Sequence, residues 1–455
     1  MSMDLKTLQT YYNACNPEEA LDPEDPRNVD IDAAGSEDGR VRGDNWVRRL
    51  AREIELSGDN PVCKYFTGLP GSGKSTELRR LAARLRSKEA NRANLLPVIV
   101  DAEDVLDLTA EIDIPDIMTA LVYGTEREVL KAEGKDPKAA LTEGYGQRLW
   151  HWLSRTDIRV TSAELGLKGE DVVEGKLVAE MKTRPSLRKR LRETIAAHLT
   201  SFLREIRDEF VLLNERARKA GYSGLVVIFD SLEKLQGTSS TWAGVLNSAE
   251  RVFASDAPYL QLPVHVLYTI PAALTRKLNV DVHFLPMIKL HNRDGQIFEP
   301  GFEAARAIVR KRLPDEVLAE LLGEAFELRI TALLEWSGGY PREIVRMLQK
   351  ILEIEDGNVT EAELKRILSR AGNAYRMLVL GGGGVDLLAR VAVNQSPILE
   401  TEAEREAFDR MVSNNVVLHY MNDEDWFDLH PAVHEIREVK EAIDRLRAER
   451  QTVGI

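Results

Sequence analysis

The sequence predicts an α/β fold: a parallel sheet covered by helices, carrying a large helical insertion and followed by two smaller modules. Three observations lead there. Short apolar runs, CKYF, LLPVIVDAE, GLVVIFD, LPVHVLYTI and VHFLPMIKL, are separated by helical stretches, the pattern of strands buried on both faces. A glycine-rich stretch from Gly68 to Ser75 lies between the first of these runs and an amphipathic segment. From about Asp113 to Tyr222, and again beyond Pro300, apolar residues recur at helical spacing among many charges.

The bulk composition sets limits. A chain of 455 residues, 44% hydrophobic and 30% charged, can bury more than one ordinary core, so two or three domains are expected. No apolar run approaches the roughly 18 to 20 residues that cross a bilayer, and MSMDLKTLQT lacks the basic-then-apolar layout of a signal peptide. A cytoplasmic protein without a membrane partner is the expectation. Cys15 and Cys63 alone make neither a disulfide framework nor a four-ligand zinc site. With 61 basic against 74 acidic side chains the net charge is -13, which repels the phosphate backbone on average and argues against broad nucleic-acid binding. A local basic patch stays open.

In chain order, an arm rich in Pro, Asp and Glu (1–44), helical only from Leu5 to Tyr12, is expected to lie across the next domain. A helix from Asn45 to Leu56 places Trp46, Leu50 and Ile54 on one face. After the strand Cys63–Phe66 and the glycine loop, a helix over Thr76–Lys88 turns Leu78, Leu81, Ala82 and Leu85 inward. The core is expected over 45–299, with far more chain between Lys74 and Asp230 than a bare core needs, so 113–222 is an insertion. The longest helix of the chain is expected there, and its Arg188, Lys189, Arg190, Arg192, Arg204, Glu205, Arg207, Asp208 and Glu209 keep it out of a membrane. The insertion reads either as a solvated hairpin that stiffens the domain or as a docking surface, with Trp150 and Trp152 in a core. A helical lid (300–372), a hinge at Gly381–Gly384 and a last module (385–455) of two helices and a hairpin around Asn422–Asp425 complete the chain.

Gly68, Gly73, Lys74 and Ser75 satisfy G-x-x-x-x-G-K-[ST] in the strand-loop-helix setting that the chemistry needs, which makes this the P-loop of a nucleotide-binding core. The loop of Gly68, Leu69, Pro70, Gly71, Ser72 and Gly73 is expected to curl around phosphate oxygens, its glycines letting backbone N–H groups converge there; Lys74 would add a mobile cation and Ser75 would ligate magnesium, and Thr76 opens the helix. In LVVIFDSLEKL, Asp230 at a strand end is the expected outer carboxylate for the magnesium held by Ser75; Glu233 either orients or deprotonates the attacking water or caps the helix that follows. Thr269 ends a third strand. In SGGYPREIVRML, Pro341 and Arg342 open a helix, where the dipole disfavours a cation without an anion nearby. No N-K-x-D follows the Asp230 strand, so ATP with Mg2+ is expected rather than GTP.

These motifs resemble those of AAA+ and STAND P-loop ATPases. DSLEK matches the D-x-x-[DE] form of the KAP and NACHT groups at Asp230 and Glu233. The resemblance implies that Thr269 is a sensor-1 residue facing the γ-phosphate. It implies further that Pro341 contacts base or ribose, and that Arg342 is a sensor-2 arginine approaching the γ-phosphate, as in the lids of STAND and origin-recognition proteins. An arginine finger is implied at Arg276, in the helix after the Thr269 strand, with Arg251 and the Arg310/Arg312 pair as competitors. The last module resembles a winged helix. Its recognition segment carries Glu400, Glu402, Glu404, Glu406 and Asp409 against Arg405 and Arg410, and its wing tip is Asp423, Glu424 and Asp425. Those carboxylates disfavour DNA readout and favour a protein-binding or autoinhibitory role. His430 and His434 are expected to be structural.

What the resemblance implies is a slow, regulatory ATPase that self-associates and controls a protein partner, as the effector-control ATPases of bacterial genome-defence systems do. The alternative is a DNA-engaging ATPase of origin-recognition or transposition-helper type, which shares the order of core, lid and winged helix. A metabolic P-loop kinase fits less well, having no need of the lid and last module.

Overall fold

In the computed structural model, α1 (Leu5–Ala14) is capped by the Asp4 carboxylate, which accepts from the backbone N–H groups of Lys6 and Thr7. Next come α2 (Trp46–Ser57), β1 (Cys63–Gly68), the glycine loop, α3 (Lys74–Arg86) and β2 (Leu96–Asp101). The insertion supplies α4 (Ile114–Ala132), α5 (Tyr145–Leu153), α6 (Pro185–Ala197) and α7 (Leu199–Lys219). Then follow β3 (Leu225–Asp230), α8 (Trp242–Glu250), β4 (His265–Thr269) and β5 (Val282–Leu285). The lid is α9 (Glu299–Arg310), α10 (Asp315–Leu322), α11 (Phe326–Ser337), α12 (Pro341–Leu352) and α13 (Glu361–Gly382). The chain closes with α14 (Val385–Asn394), α15 (Glu402–Ser413), the hairpin β6 (Val417–Met421) and β7 (Asp425–Leu429), and α16 (Arg437–Val453). The structure describes all residues except 1–2, 35–39, 90–91, 139–144, 156–182, 236, 238–240, 355–358, 383 and 454–455. The expected insertion and hinge therefore lie partly outside the described residues.

The α/β expectation holds. Strand order is β2-β3-β4-β1-β5, and the pairs β2/β3, β3/β4 and β4/β1 are parallel. β3 and β4 are buried along their whole length, in keeping with the apolar Leu225–Phe229 and Val266–Tyr268 that make up most of them. The register sets Asp101 against Asp230, Phe229 against Tyr268 and Phe66 against Thr269, so these strands end along one edge of the sheet. In an open parallel sheet that edge is where ligands bind.

The chain divides into two compact units, Val47–Thr67 with Leu78–His283, and Met1–Trp46 with Gly68–Glu77 and Phe284–Ile455. In the first, the insertion is part of the sheet's own core. α4 opens on a capping box between Asp113 and Asp116 and packs on β2 so closely that a Cβ on Gly124 would lie 2.6 Å from Val100. Trp152 is buried, and its indole N–H donates to Ser201 Oγ at 3.2 Å. Arg148 bridges Glu209 at 2.6 Å and Glu126 at 3.0 Å, so charges that read as solvated tie the helices together. The single long helix expected here is two. It breaks at His198, beside the weak helix former Thr200, and α6 and α7 each pack on α4.

In the second unit, Phe302, Ile308, Leu318, Leu333, Ile344 and Leu348 form the lid core together with Cys15, Ile31 and Val41 of the arm. The arm is therefore a component of the lid core through Cys15, Ile31 and Val41, while Leu5 and Tyr12 of α1 stay exposed. The lid does not end at Gly372: α13 runs on to Gly382, through Ala, Arg, Met and Leu, which hold a helix over one glycine. The last module has the expected two helices and hairpin, with Tyr420 and Trp426 paired across the strands and stacked at 4.5 Å. α16, which packs on α14 through Val439, Ala442 and Ile443, is an addition to that expectation. His430 is wholly buried, stacked on Tyr375 at 4.2 Å, and its Nδ1 accepts the backbone N–H of Ala432. Burial lowers its pKa to about 3, so it stays neutral in the folded module. His434 meets the Asp428 carboxylate at 2.9 Å.

Candidate nucleotide site

The loop turns at Gly71 and Gly73, whose φ values of 77° and 98° lie in the left-handed region that side chains resist. α3 begins where the N–H of Glu77 reaches the carbonyl of Gly73 at 3.0 Å. The Lys74 ammonium is folded into the loop, 4% exposed, and donates to the carbonyls of Gly68 and Leu69, both at 3.0 Å. Ser75 and Thr76 are half-buried, and Thr76 Oγ1 accepts the backbone N–H of Leu21 at 3.2 Å.

Three other parts of the same unit hold this loop. A Cβ on Gly71 would lie 2.6 Å from the Tyr340 ring and 2.7 Å from Arg342 Cβ, so only glycine lets the start of α12 close on it. α11 ends on Gly338 in the left-handed conformation, Gly339 follows at φ 73°, and Pro341 takes the first helical turn, where its missing N–H costs nothing. Arg342 lies beside the loop, with its guanidinium 3.5 Å from the Glu18 carboxylate of the arm. The last module reaches it too: the Asn415 amide donates to the Pro70 carbonyl at 3.1 Å. Asn415 itself has φ 55° in the turn from α15 to β6. The Tyr420 hydroxyl donates to Gly338 at 2.6 Å, and the N–H of Met287 donates to His419 at 2.9 Å, so the hairpin is docked on the lid turn. The third hold is Arg42 of the arm, which donates to the Ser72 carbonyl at 2.8 Å.

At the sheet edge, Asp230 ends β3 with 5% exposure and accepts the N–H of Ser231 at 2.7 Å. Ser231 adopts φ 67°, a strained value for a residue with a side chain, immediately after the carboxylate. Glu233 lies inside a single 3-10 turn, Leu232–Lys234. The Thr269 hydroxyl is engaged at both ends: it accepts the N–H of Leu232 at 2.9 Å and contacts the Phe229 carbonyl as donor at 3.2 Å. Its place braces the turn that carries Asp230 and Glu233. Arg276 is exposed in a turn after the 3-10 segment Ala272–Leu274, where a helix was expected; Pro271 and three residues support no longer helix. Of its competitors, Arg251 pairs with Asp113 at 3.4 Å and Arg310 with Asp315 at 3.0 Å, while Arg312 donates to the Ile308 carbonyl at 3.0 Å.

Arg42, Asn415 and Tyr340 as neighbours of the loop, and Glu18 as the partner of Arg342, have no sequence signal. Nothing periodic marks them; only the proximity created by folding does.

No family model matches the chain, and no curated protein matches its sequence. Among solved structures it is similar to the ORC2 protein of Aeropyrum pernix in ADPNP-ADP complexes, at 14% identity over 96% of this chain and 98% of that one, with a TM-score of 0.41. It is similar also to a Walker-type ATPase of Pyrococcus abyssi, at 14% identity over 87% and 95% of the two chains, with a TM-score of 0.36. A third is Drosophila ORC bound to DNA, at 12% identity over 97% and 94%, with a TM-score of 0.36. At these TM-scores the likenesses carry no argument about activity, and the α/β fold class rests on the sheet order and the succession of modules.

Proposed function

We propose that this chain is a nucleotide-dependent switch, a P-loop ATPase of the AAA+ kind. The observation that supports it is the grip on the glycine loop by Arg342 and Tyr340 of the lid and by Asn415 of the last module. A triphosphate bound by the loop N–H groups and Lys74 must be accommodated by those same residues, so its presence biases where lid and last module sit. The bias equals the difference in contact energy between the two arrangements. On the chemistry of the side chains, the Ser75 hydroxyl and the Asp230 carboxylate suit a magnesium ion, which when bound neutralises phosphate charge. Lys74 neutralises phosphate charge, Arg342 leaves Glu18 for the γ-phosphate, and Pro341 borders the base or ribose. Glu233 orients and deprotonates the attacking water, while Thr269 holds the turn under Asp230 and Glu233. Arg276, exposed on its turn, is the candidate finger supplied to a neighbouring copy.

Two outputs of the switch are proposed. A DNA-engaging ATPase of origin-recognition or transposition-helper type is supported by the order of sheet, lid and hairpin-bearing module. Control of a protein partner, including effector control in genome defence, is supported by charge: on α15, Arg405 pairs with Glu402 at 2.9 Å and Arg410 lies 3.8 Å from Glu406, leaving that face without net positive charge. Duplex binding measured across a salt series, with and without Mg-ATP, separates them. The first reading expects ATP-dependent affinity whose logarithm falls with log salt by roughly one unit per phosphate contact. Absence of salt-dependent binding in either state overturns it and leaves the second.

A further inference from the structure

We propose that Arg42 is a positioning residue of the glycine loop, fixing the peptide between Ser72 and Gly73 so that the Gly73 N–H faces the phosphates. This rests on the nucleotide-binding reading. The Arg42 side chain is fully buried, and its two terminal nitrogens have different tasks: Nη2 donates to the Ser72 carbonyl at 2.8 Å and Nη1 to Glu77 Oε1 at 3.2 Å. Its own carbonyl accepts the Trp46 indole N–H at 3.2 Å, which anchors the segment that presents it.

A trans peptide is planar, with its C=O and N–H pointing to opposite sides. Drawing the Ser72 carbonyl toward Arg42 therefore turns the Gly73 N–H away from Arg42, to the opposite side of the loop. Glycine does not enforce that choice, because at φ 98° Gly73 occupies a region where its backbone moves freely between basins. The selection comes from Arg42, through a charge-assisted hydrogen bond of the stronger kind. The guanidinium runs beside the loop, 3.7 Å from where a Gly73 Cβ would lie. Glu77, 3% exposed in the first turn of α3, supplies the counter-charge that a buried cation requires. One side chain thus ties the loop to the helix that follows it.

The test compares Arg42→Lys, Glu77→Gln and the double variant Arg42→Met/Glu77→Gln with wild type. Calorimetric titration with Mg-ATP and with inorganic tripolyphosphate is read beside thermal melting. Arg42→Lys keeps the charge next to Glu77 without spanning both acceptors, and the double variant leaves no buried charge uncompensated, so a folded variant carries the test. Both are expected to bind either ligand about 10- to 100-fold more weakly at near wild-type melting temperature, the loss of one charged hydrogen bond to the loop. Glu77→Gln alone is expected to bind within about threefold of wild type, a change under 1 kcal/mol. A double variant that binds like wild type overturns the proposal and reduces Arg42 to a counter-ion of Glu77. Wild type that binds neither ligand would strike the nucleotide reading itself, a separate outcome.

Discussion

Lys74→Ala is expected to abolish nucleotide binding while leaving the protein folded. The ammonium is the cation inside the loop, held by two backbone carbonyls at 3.0 Å and screened from water. In such a setting its attraction for a triphosphate far exceeds that of a surface lysine, and its hydrogen bonds to phosphate oxygens are of the charged, stronger kind. Removing it should weaken Mg-ATP by two or more orders of magnitude, about 3 kcal/mol or more. Folding should survive at a modest cost, about 1 to 3 kcal/mol, since the carbonyls of buried Gly68 and Leu69 each lose a partner. Titration with Mg-ATP beside a denaturant melt checks both halves. Wild-type affinity in the variant contradicts the assignment of the loop.

Gly339→Ala carries the largest expected cost in stability. Gly339 sits at φ 73°, a conformation costing an L-residue roughly 1 to 2 kcal/mol, and a Cβ there would lie 1.8 Å from the Ile288 carbonyl oxygen and 2.9 Å from its carbon. That obstacle is backbone, and it is pinned: the Ile288 N–H donates back to the Gly339 carbonyl at 3.2 Å, and Met287 and Lys289 on either side are bonded to His419 and Val41. Strain and displacement together should cost about 3 to 5 kcal/mol, measured as a shift in urea midpoint. Gly338→Ala should cost less. Its φ is 60°, and of the atoms a Cβ would meet first Leu418 Cδ1, at 2.8 Å, can yield, while the Pro431 ring, at 2.9 Å, must shift, but no carbonyl stands as close as Ile288 does to Gly339. Equal, small effects at both positions would contradict the packing of the lid turn on its neighbours.

Much of the fold was legible because its signals are local. Val226–Asp230 reads as a buried strand because both faces are covered, and Gly68–Ser75 reads as a phosphate loop because the glycines, lysine and serine must stand at fixed spacing. Gly338, Gly339 and Pro341 likewise announce a helix stop and restart. What was hidden is set by distance along the chain. Asn415 lies 345 positions from Pro70 and Arg42 lies 30 from Ser72, and neither stands in a periodic pattern that would tie it to the loop. Thr269 shows a different limit: a threonine ending a strand was legible, but whether its hydroxyl faces a ligand or the backbone of β3 depends on the register of β4, which one sequence does not display. Arg276 was misplaced because the residues after Pro271 look helical, yet form only one short turn. α16 was there to be read in the spacing of Val439, Ala442, Ile443 and Leu446.

The central claim is that nucleotide in the glycine loop is felt by the last module through Asn415 and the lid turn. Backbone hydrogen exchange over Asn415–Met421 and Tyr340–Arg346, with and without Mg-ATP, tests it most directly, with Lys74→Ala as the control. The account predicts that Mg-ATP changes the exchange of both segments in wild type and of neither in the variant. Protection confined to Gly68–Glu77, with Asn415–Met421 unchanged while Mg-ATP is bound, would contradict it.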